Sequence, residues 1–175
     1  MRGVEIKTDK LAAIVSSINM LVKKSVLVGI PASGNGRGDE MNNAALGYIH
    51  ETGSPANNIP ARPFLLPSVA DSLEKYEPHL KKAALAALDG QNKKVYEQLN
   101  SAGIIASQAA KAMIDAGAFA PLAIATLKAR ARRGRKGAAI EIASRAAGNA
   151  PNSSNARPLI DTGQMRNAIT YIVRE

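Results

Sequence analysis

Apolar residues recur at helical spacing along most of this chain, with short apolar runs near its two ends. Leu11, Ile14, Val15, Ile18 and Val22 fall on one stripe of a helix, and Asp9 is placed to cap it. VEIKT (4–8) just before it reads as a short strand. SVLVGI (25–30) is β-branched and nearly all apolar, the pattern of a buried strand, and Pro31 ends it. From Pro31 to Asp39 the glycines at 34, 36 and 38 alternate with polar residues, which predicts a loop. Asn42 or Asn43 caps a short helix through Tyr48 and Ile49 that Gly53 stops. A second irregular stretch, Ser54 to Pro67, carries Pro55, Pro60, Pro63 and Pro67.

The middle of the chain predicts two long helices. Val69, Leu73, Tyr76, Leu80, Ala83 and Ala87 recur in steps of four and three and define one apolar face. Pro78 lies inside that pattern and lacks a backbone donor, so a kink or break is expected near Glu77. Asp89-Gly90 ends this element. Val95, Leu99, Ala102, Ala106, Ala109 and Met113 repeat the same steps without a proline, and Gly117 is a natural left-handed cap after them. The two helices are expected to pair closely through their alanines.

Beyond Pro121 the pattern weakens. Pro121 is suited to open a short helix to about Ala131. Ala138 to Ala147 offers another, interrupted by Gly134, Gly137 and Gly148, and residues 149–158 have linker composition. Asp161-Thr162-Gly163 has the form of a helix cap, Gln164 to Ala168 gives a turn or two, and ITYIV (169–173) reads as a final strand. Strands near both ends with helices between them predict an α+β fold: a small mixed or antiparallel sheet of N- and C-terminal strands, packed with two or more long helices. The 175 residues suit a single domain, 1–175, with an irregular basic insertion at about 128–156.

Composition changes the picture in three ways. There is no cysteine, so thiolate metal sites and disulfides are excluded. Alanine supplies much of the 46% hydrophobic content and contributes little apolar area per residue, so subunit contacts are expected to add to monomer stability. The net charge of +9 is concentrated: Lys128, Arg130, Arg132, Arg133, Arg135 and Lys136 stand within nine residues with no acid among them. Such a block is solvated, mobile or docked on an anionic partner. No apolar run is long enough to span a bilayer, and the N-terminus lacks a signal-peptide pattern, so no membrane partner is expected.

The common catalytic constellations are not found. His50-Glu51 begins like a zinc-protease helix, but residue 54 is serine where the second histidine belongs. GIPASGN (29–35) has the glycine spacing of a phosphate loop, with Asn35 in the place of its lysine. No G-x-S-x-G elbow occurs. Glu74 and Glu77, one turn apart, sit among Lys75, Lys81 and Lys82 and read as a solvated face. No enzyme activity, cofactor or metal is expected. The basic block fits non-specific contact with DNA phosphates or with an acidic partner, although the stacking aromatics of single-strand binders are missing.

Two segments carry a resemblance. NNAALGYIHETGSPANNIPARPFLLPSV (42–69) combines a short helix, an E-x-G step and an irregular loop ending in P-A-R-P-F-L; ARPLIDTGQMRNAITYIV (156–173) follows a P-L-I-D-T-G-x-[LM]-R-x-[AS]-I pattern into a strand. In this order, separated by a helical middle and preceded by VLVGIP (26–31), they resemble the neck or tail-completion proteins of tailed phages, including the Mu-like virion morphogenesis group. The likeness spans residues from about 4 to 173.

That resemblance implies a small α+β structural subunit that forms a homo-oligomeric ring at the head–tail junction. Its partners would be the head-closure or connector proteins and the tail tube or tail terminator, and its location the virion, after synthesis in a bacterial cytoplasm. Pro60, Ala61, Arg62, Pro63 and Phe64 match the family's proline-rich segment, and Asp161, Thr162, Gly163 and Arg166 its second motif. Pro60, Arg62, Pro63, Phe64 and Arg166 are thereby candidate subunit or partner contacts. Prolines flanking Arg62 lower the entropy lost on ordering it. Phe64 either anchors in a neighbour's pocket or plugs the core beneath its own loop. The stretch from about Gly134 to Asn155 is longer than the resemblance predicts. The alternative function, from another class, is a small basic DNA-binding or packaging accessory protein acting through Lys128, Arg130, Arg132, Arg133, Arg135 and Lys136.

Overall fold

The computed structural model describes residues 11–33 and 41–174. The strand expected at 4–8, the Asp9 cap and most of the glycine loop lie outside the described residues. Among the described residues eight α-helices and two strands follow one another: α1 (Leu11–Val22), β1 (Ser25–Gly29), α2 (Asn43–Thr52), α3 (Leu65–Asp71), α4 (Leu73–Leu88), α5 (Asn92–Ala116), α6 (Ile124–Arg132), α7 (Lys136–Ala146), α8 (Gln164–Asn167) and β2 (Thr170–Arg174), with a 3₁₀ turn at Pro55–Asn57. The fold is α+β, as the terminal apolar runs predict. β1 and β2 pair antiparallel, with Val26 opposite Val173 and Val28 opposite Tyr171.

The axis of the molecule is α5, 25 residues long and free of proline. Val95, Leu99, Ala102 and Ala106 are buried as their spacing requires; the buried stripe then continues through Ala110 and Ile114, with Ala109 and Met113 only half-buried. A strict 3.5-residue pattern drifts across a 3.6-residue helix, which accounts for the shift by one position. α4 packs along α5, burying Ala83, Ala86 and Ala87 against Val95 and Leu99. The small alanines let the two backbones approach, as expected, yet the face is rotated from the predicted one. Ser72 is buried, whereas Leu73 and Leu80 are exposed. α4 also runs unbroken through Pro78; the discontinuity falls earlier, at Ser72, between α3 and α4.

The sheet covers α5 with one face only. Val26, Val28, Tyr171 and Val173 are half-buried, while Leu27 and Ile172 point away and are exposed. β1 therefore alternates instead of being buried throughout, because a two-stranded sheet with a single helix behind it has one covered face. α1 shows the same inversion. Ser17 is its one fully buried residue, donating a short hydrogen bond from Oγ to Asn92 Oδ1 (2.5 Å), and Met20 and Leu21 pack on the α4–α5 core. Of the predicted stripe, Ile14 is half-buried, but Leu11, Val15, Ile18 and Val22 lie outside.

A second core gathers at the far end of α5. Phe64, Ala110, Ile114, Leu159, Met165 and Ile169 are buried together, with Phe119 packed against them. The two short helices expected within the basic insertion are present as a helical hairpin, α6 and α7, with a small core of Leu122, Leu127, Ala138 and Ala156. α6 starts three residues after Pro121, at Ile124. The glycines punctuate this hairpin without breaking α7: Gly134 and Gly148 hold φ near +80 to +88 at the turns on either side of it. Gly137 sits in the first turn of α7, where a Cβ would collide with the carbonyl oxygen of Asn155. Gly117 is not a left-handed cap (φ −64, ψ 135); it is needed because a Cβ there would meet Met113 O and the Phe119 ring at 2.5 Å.

Candidate functional site

The first motif folds into a closed joint. Asn42 caps α2, its Oδ1 accepting from Ala45 N at 2.8 Å, and Gly53 terminates that helix. Glu51, the acid of the E-x-G step, turns its carboxylate onto the start of α3. Oε2 accepts from Phe64 N and Leu65 N (2.8 and 2.9 Å), and Oε1 accepts from Leu66 N (2.9 Å). A helix N-terminus presents unpaired donors and partial positive charge, so one carboxylate satisfies three orphan N–H groups. Gly53, at φ +76, lets the chain reverse, and a Cβ there would stand 2.8 Å from Ala61 N. Arg62 N donates to His50 O at 2.7 Å and closes the loop.

This geometry corrects two of the expected contact residues. Arg62 is buried and faces inward, donating from Nε to Ala120 O (3.1 Å) and from Nη2 to Pro121 O (3.4 Å). Burial holds its pKa below the usual arginine value. Phe64 is 2% exposed and fills the second core. Phe64 is the plug beneath its own loop, and Arg62 ties that loop to the extended segment after α5. Pro60 and Pro63 remain on the surface.

The second motif and the basic block meet. Asp161 is not a helix cap; its two oxygens receive the arginines of the α6–α7 turn. Arg133 Nη2 donates to Oδ2 at 2.9 Å, Arg135 Nε donates to Oδ1 at 2.9 Å, and Arg130 Nε stands 4.0 Å from Oδ1. Arg130 is itself buried, donating from Nη1 to Arg157 O (2.8 Å) and Ile160 O (2.9 Å). Burial lowers its pKa; Asp161 opposes that, and the neighbouring charges of Arg133, Arg135 and Arg62 add to it. A cleft of about 250 Å³ opens beside this hub, with Arg130, Arg135, Arg157, Ser154, Asn155 and Asp161 on its walls. Lys128, Arg132 and Lys136 are exposed.

Arg166 grips Asp115 at the C-terminal end of α5. Its Nε donates to Oδ1 at 2.7 Å and its Nη2 to Oδ2, the two-pronged geometry that a planar guanidinium favours. The hydrogen bond from Arg166 pulls the Asp115 carboxyl below its ordinary range. Arg166 thus anchors α8 to α5 while its side chain stays 31% exposed. Of the expected cap Asp161-Thr162-Gly163, Gly163 stands at the N-cap of α8 with φ +79, and Thr162 Oγ1 accepts from Gln164 N at 3.3 Å.

Periodicity gave no sign of Glu141. This acid is completely buried, accepting from Arg145 Nε (2.9 Å), Asn152 N (3.0 Å) and Asn155 Nδ2 (3.2 Å). It orders the 149–158 strap over the hairpin. The Asn152 N–H, followed by Arg145, holds its carboxyl below the usual value against the opposing effect of burial. The spacing of Glu141 and Arg145, one helical turn apart, was the available signal.

Among the described residues no three or more histidine or acidic side chains converge as metal ligands, and no helix is long and apolar enough to cross a membrane. The polar chemistry of the site is arginine against carboxylate and backbone carbonyl. The chain matches no family model, and no similar curated protein or solved structure was found.

Proposed function

We propose that this chain is a structural subunit of a tailed-phage virion, forming a homo-oligomeric ring at the head–tail junction that links the head connector to the tail. The observation that carries this reading is the apolar surface left at the N-terminal end of the fold. α1 turns Leu11, Val15, Ile18 and Val22 outward, and the sheet turns out Leu27 and Ile172. Among the described residues, a shallow groove of about 790 Å³ is walled by α1 and by Lys23 just after it. Covering the part of each side chain that is still exposed gains a share of the about 1.5–3 kcal/mol that full burial is worth, and apolar patches of this kind mark association surfaces. Among the described residues β1 and β2 pair only with each other, and no described strand covers either outer edge, an arrangement that favours a further strand. A second copy of the chain supplies matching strands and a matching helix.

The internal joints support the same reading. The two segments that resemble the phage neck proteins are built as rigid brackets, Glu51 on α3 and Asp161 on the α6–α7 turn, of the kind a geometric component needs. Sedimentation velocity combined with negative-stain imaging tests the proposal: closed rings of one stoichiometry are expected, with labelled antibody locating the chain at the collar of purified particles. A chain that stays monomeric at all concentrations and is missing from particles would overturn it.

A further inference from the structure

We propose that the tip of the α6–α7 hairpin is a binding surface for the phosphate backbone of duplex DNA. Between residues 116 and 160 the chain carries eight lysines and arginines and one acid, Glu141. That acid is buried and spent on Arg145, Asn152 and Asn155. Among the described residues only Asp161 then faces the guanidiniums of Arg130, Arg133 and Arg135, leaving that set with an excess of two positive charges. Like charges held this close favour an external anion.

The tip is organised for one. Gly134 stands at the apex, with open space around it, and Arg133 and Arg135 flank it. The two oxygens of Asp161 hold these two side chains side by side, yet they remain 60% and 44% exposed. An arginine has five N–H donors; each of these uses one on Asp161. The remaining donors are fixed in place before any ligand arrives, which lowers the entropy cost of binding. Lys128 and Arg132 lie one turn apart on α6, about 6 Å along its axis, and Lys136 opens α7. All three are exposed.

The chemistry selects the ligand. No phenylalanine, tyrosine or tryptophan occurs between 120 and 170, so there is no ring on which an unpaired base could stack. The exposed isoleucines of the hairpin, Ile124 and Ile140, lie away from the apex, at the start of α6 and in the body of α7, so the tip has no apolar wedge for a lipid surface. What remains is a set of fixed and mobile cations without base readout, suited to the repeating charge of a duplex. The surface would act whether or not the chain is assembled into a ring.

Fluorescence anisotropy of the full chain with a labelled random-sequence duplex tests this directly. Contacts to about four phosphates predict an affinity that falls on the order of 10²-fold between roughly 50 and 200 mM salt. The triple variant Lys128→Gln, Arg132→Gln, Lys136→Gln changes only exposed side chains, so it should keep the melting temperature while losing at least tenfold in affinity. Arg133→Gln with Arg135→Gln should weaken binding further. The proposal is overturned by no duplex binding at low salt, by full binding in the triple variant, or by tighter binding of a single strand. Stronger retention of polyglutamate than of duplex would also overturn it and make the tip a contact for an acidic protein. The readout is independent of oligomeric state, so its failure leaves the ring reading standing.

Discussion

The ring of Tyr171, on the C-terminal strand, lies directly on the backbone of Gly103 in the middle of α5. This contact lets the two-stranded sheet settle onto a helix it could not otherwise approach closely, and it sets where β1 is carried in turn, since Val28 pairs with Tyr171. A β-carbon at position 103 would overlap the tyrosine ring.

Gly103→Ala should therefore destabilise the protein even though alanine is the better helix former. The helix gains roughly 1 kcal/mol in propensity, while overpacking a fitted contact costs about 1–3 kcal/mol. Thermal unfolding is expected to show a lower Tm for Gly103→Ala, with the loss largely reversed when Tyr171→Leu is added. A rise in Tm for the single variant would mean the sheet does not sit as described.

Glu51→Ala tests the first joint. Removing the carboxylate strips the cap from Phe64, Leu65 and Leu66 N–H together, and losing a helix N-cap costs about 0.5–2 kcal/mol. Amide hydrogen exchange should accelerate at those three positions well before the core of α5 is affected. Unchanged protection there would refute the capping role.

How far the sequence reveals this molecule depends on the element. The spacing of Val95, Leu99, Ala102 and Ala106 was decisive because α5 is covered on a broad stripe along its length, so hydrophobicity and burial coincide. In α1 they part. The face that packs is the one carrying Ser17, small enough for close approach and able to bond Asn92, whereas the larger apolar side chains stay outside. A periodic stripe says that a helix has an apolar face; it does not say whether that face meets the same chain or another. The arginines were misread for a different reason. Arg62 and Arg130 look like surface cations in the sequence, but the irregular segments at 120–121 and 157–160 leave carbonyls without helix or strand partners, and these two side chains supply the donors.

Acid should loosen the molecule through two carboxyls. Asp115, hydrogen-bonded by Arg166, and Glu141, hydrogen-bonded by Asn152 N–H and Arg145, both have folded-state pKa values below those of the unfolded chain. A depressed carboxyl contributes stability that is fully present above its unfolded pKa, about 4, and is lost as pH falls through the folded value. Chemical denaturation should show a plateau from neutral pH down to about 5 and a decline below about 4. In Glu141→Gln the plateau should be lower and the acid decline shallower. An equally steep decline in that variant would remove Glu141 from the account.

The outward stripe of α1 separates an assembly surface from a core. Val15 lies opposite Ser17 on the helix, and Ile18 stands at the edge of the same exposed side. Val15 is 47% and Ile18 36% exposed, so a lysine at each can lay its stem over the covered part while its amine reaches water, and lysine is at least as good a helix former as valine or isoleucine. The double variant Val15→Lys, Ile18→Lys should keep the monomer's Tm within about 1–2 °C, since surface changes of this kind usually stay within about 0.5 kcal/mol. In sedimentation velocity it should run as the smallest species, because two charges placed in an apolar contact cannot be buried without partners. Ile172→Glu, on the outer face of the sheet, should act in the same direction. If both variants assemble like the parent chain, these faces are merely solvated, and association must proceed through another part of the surface.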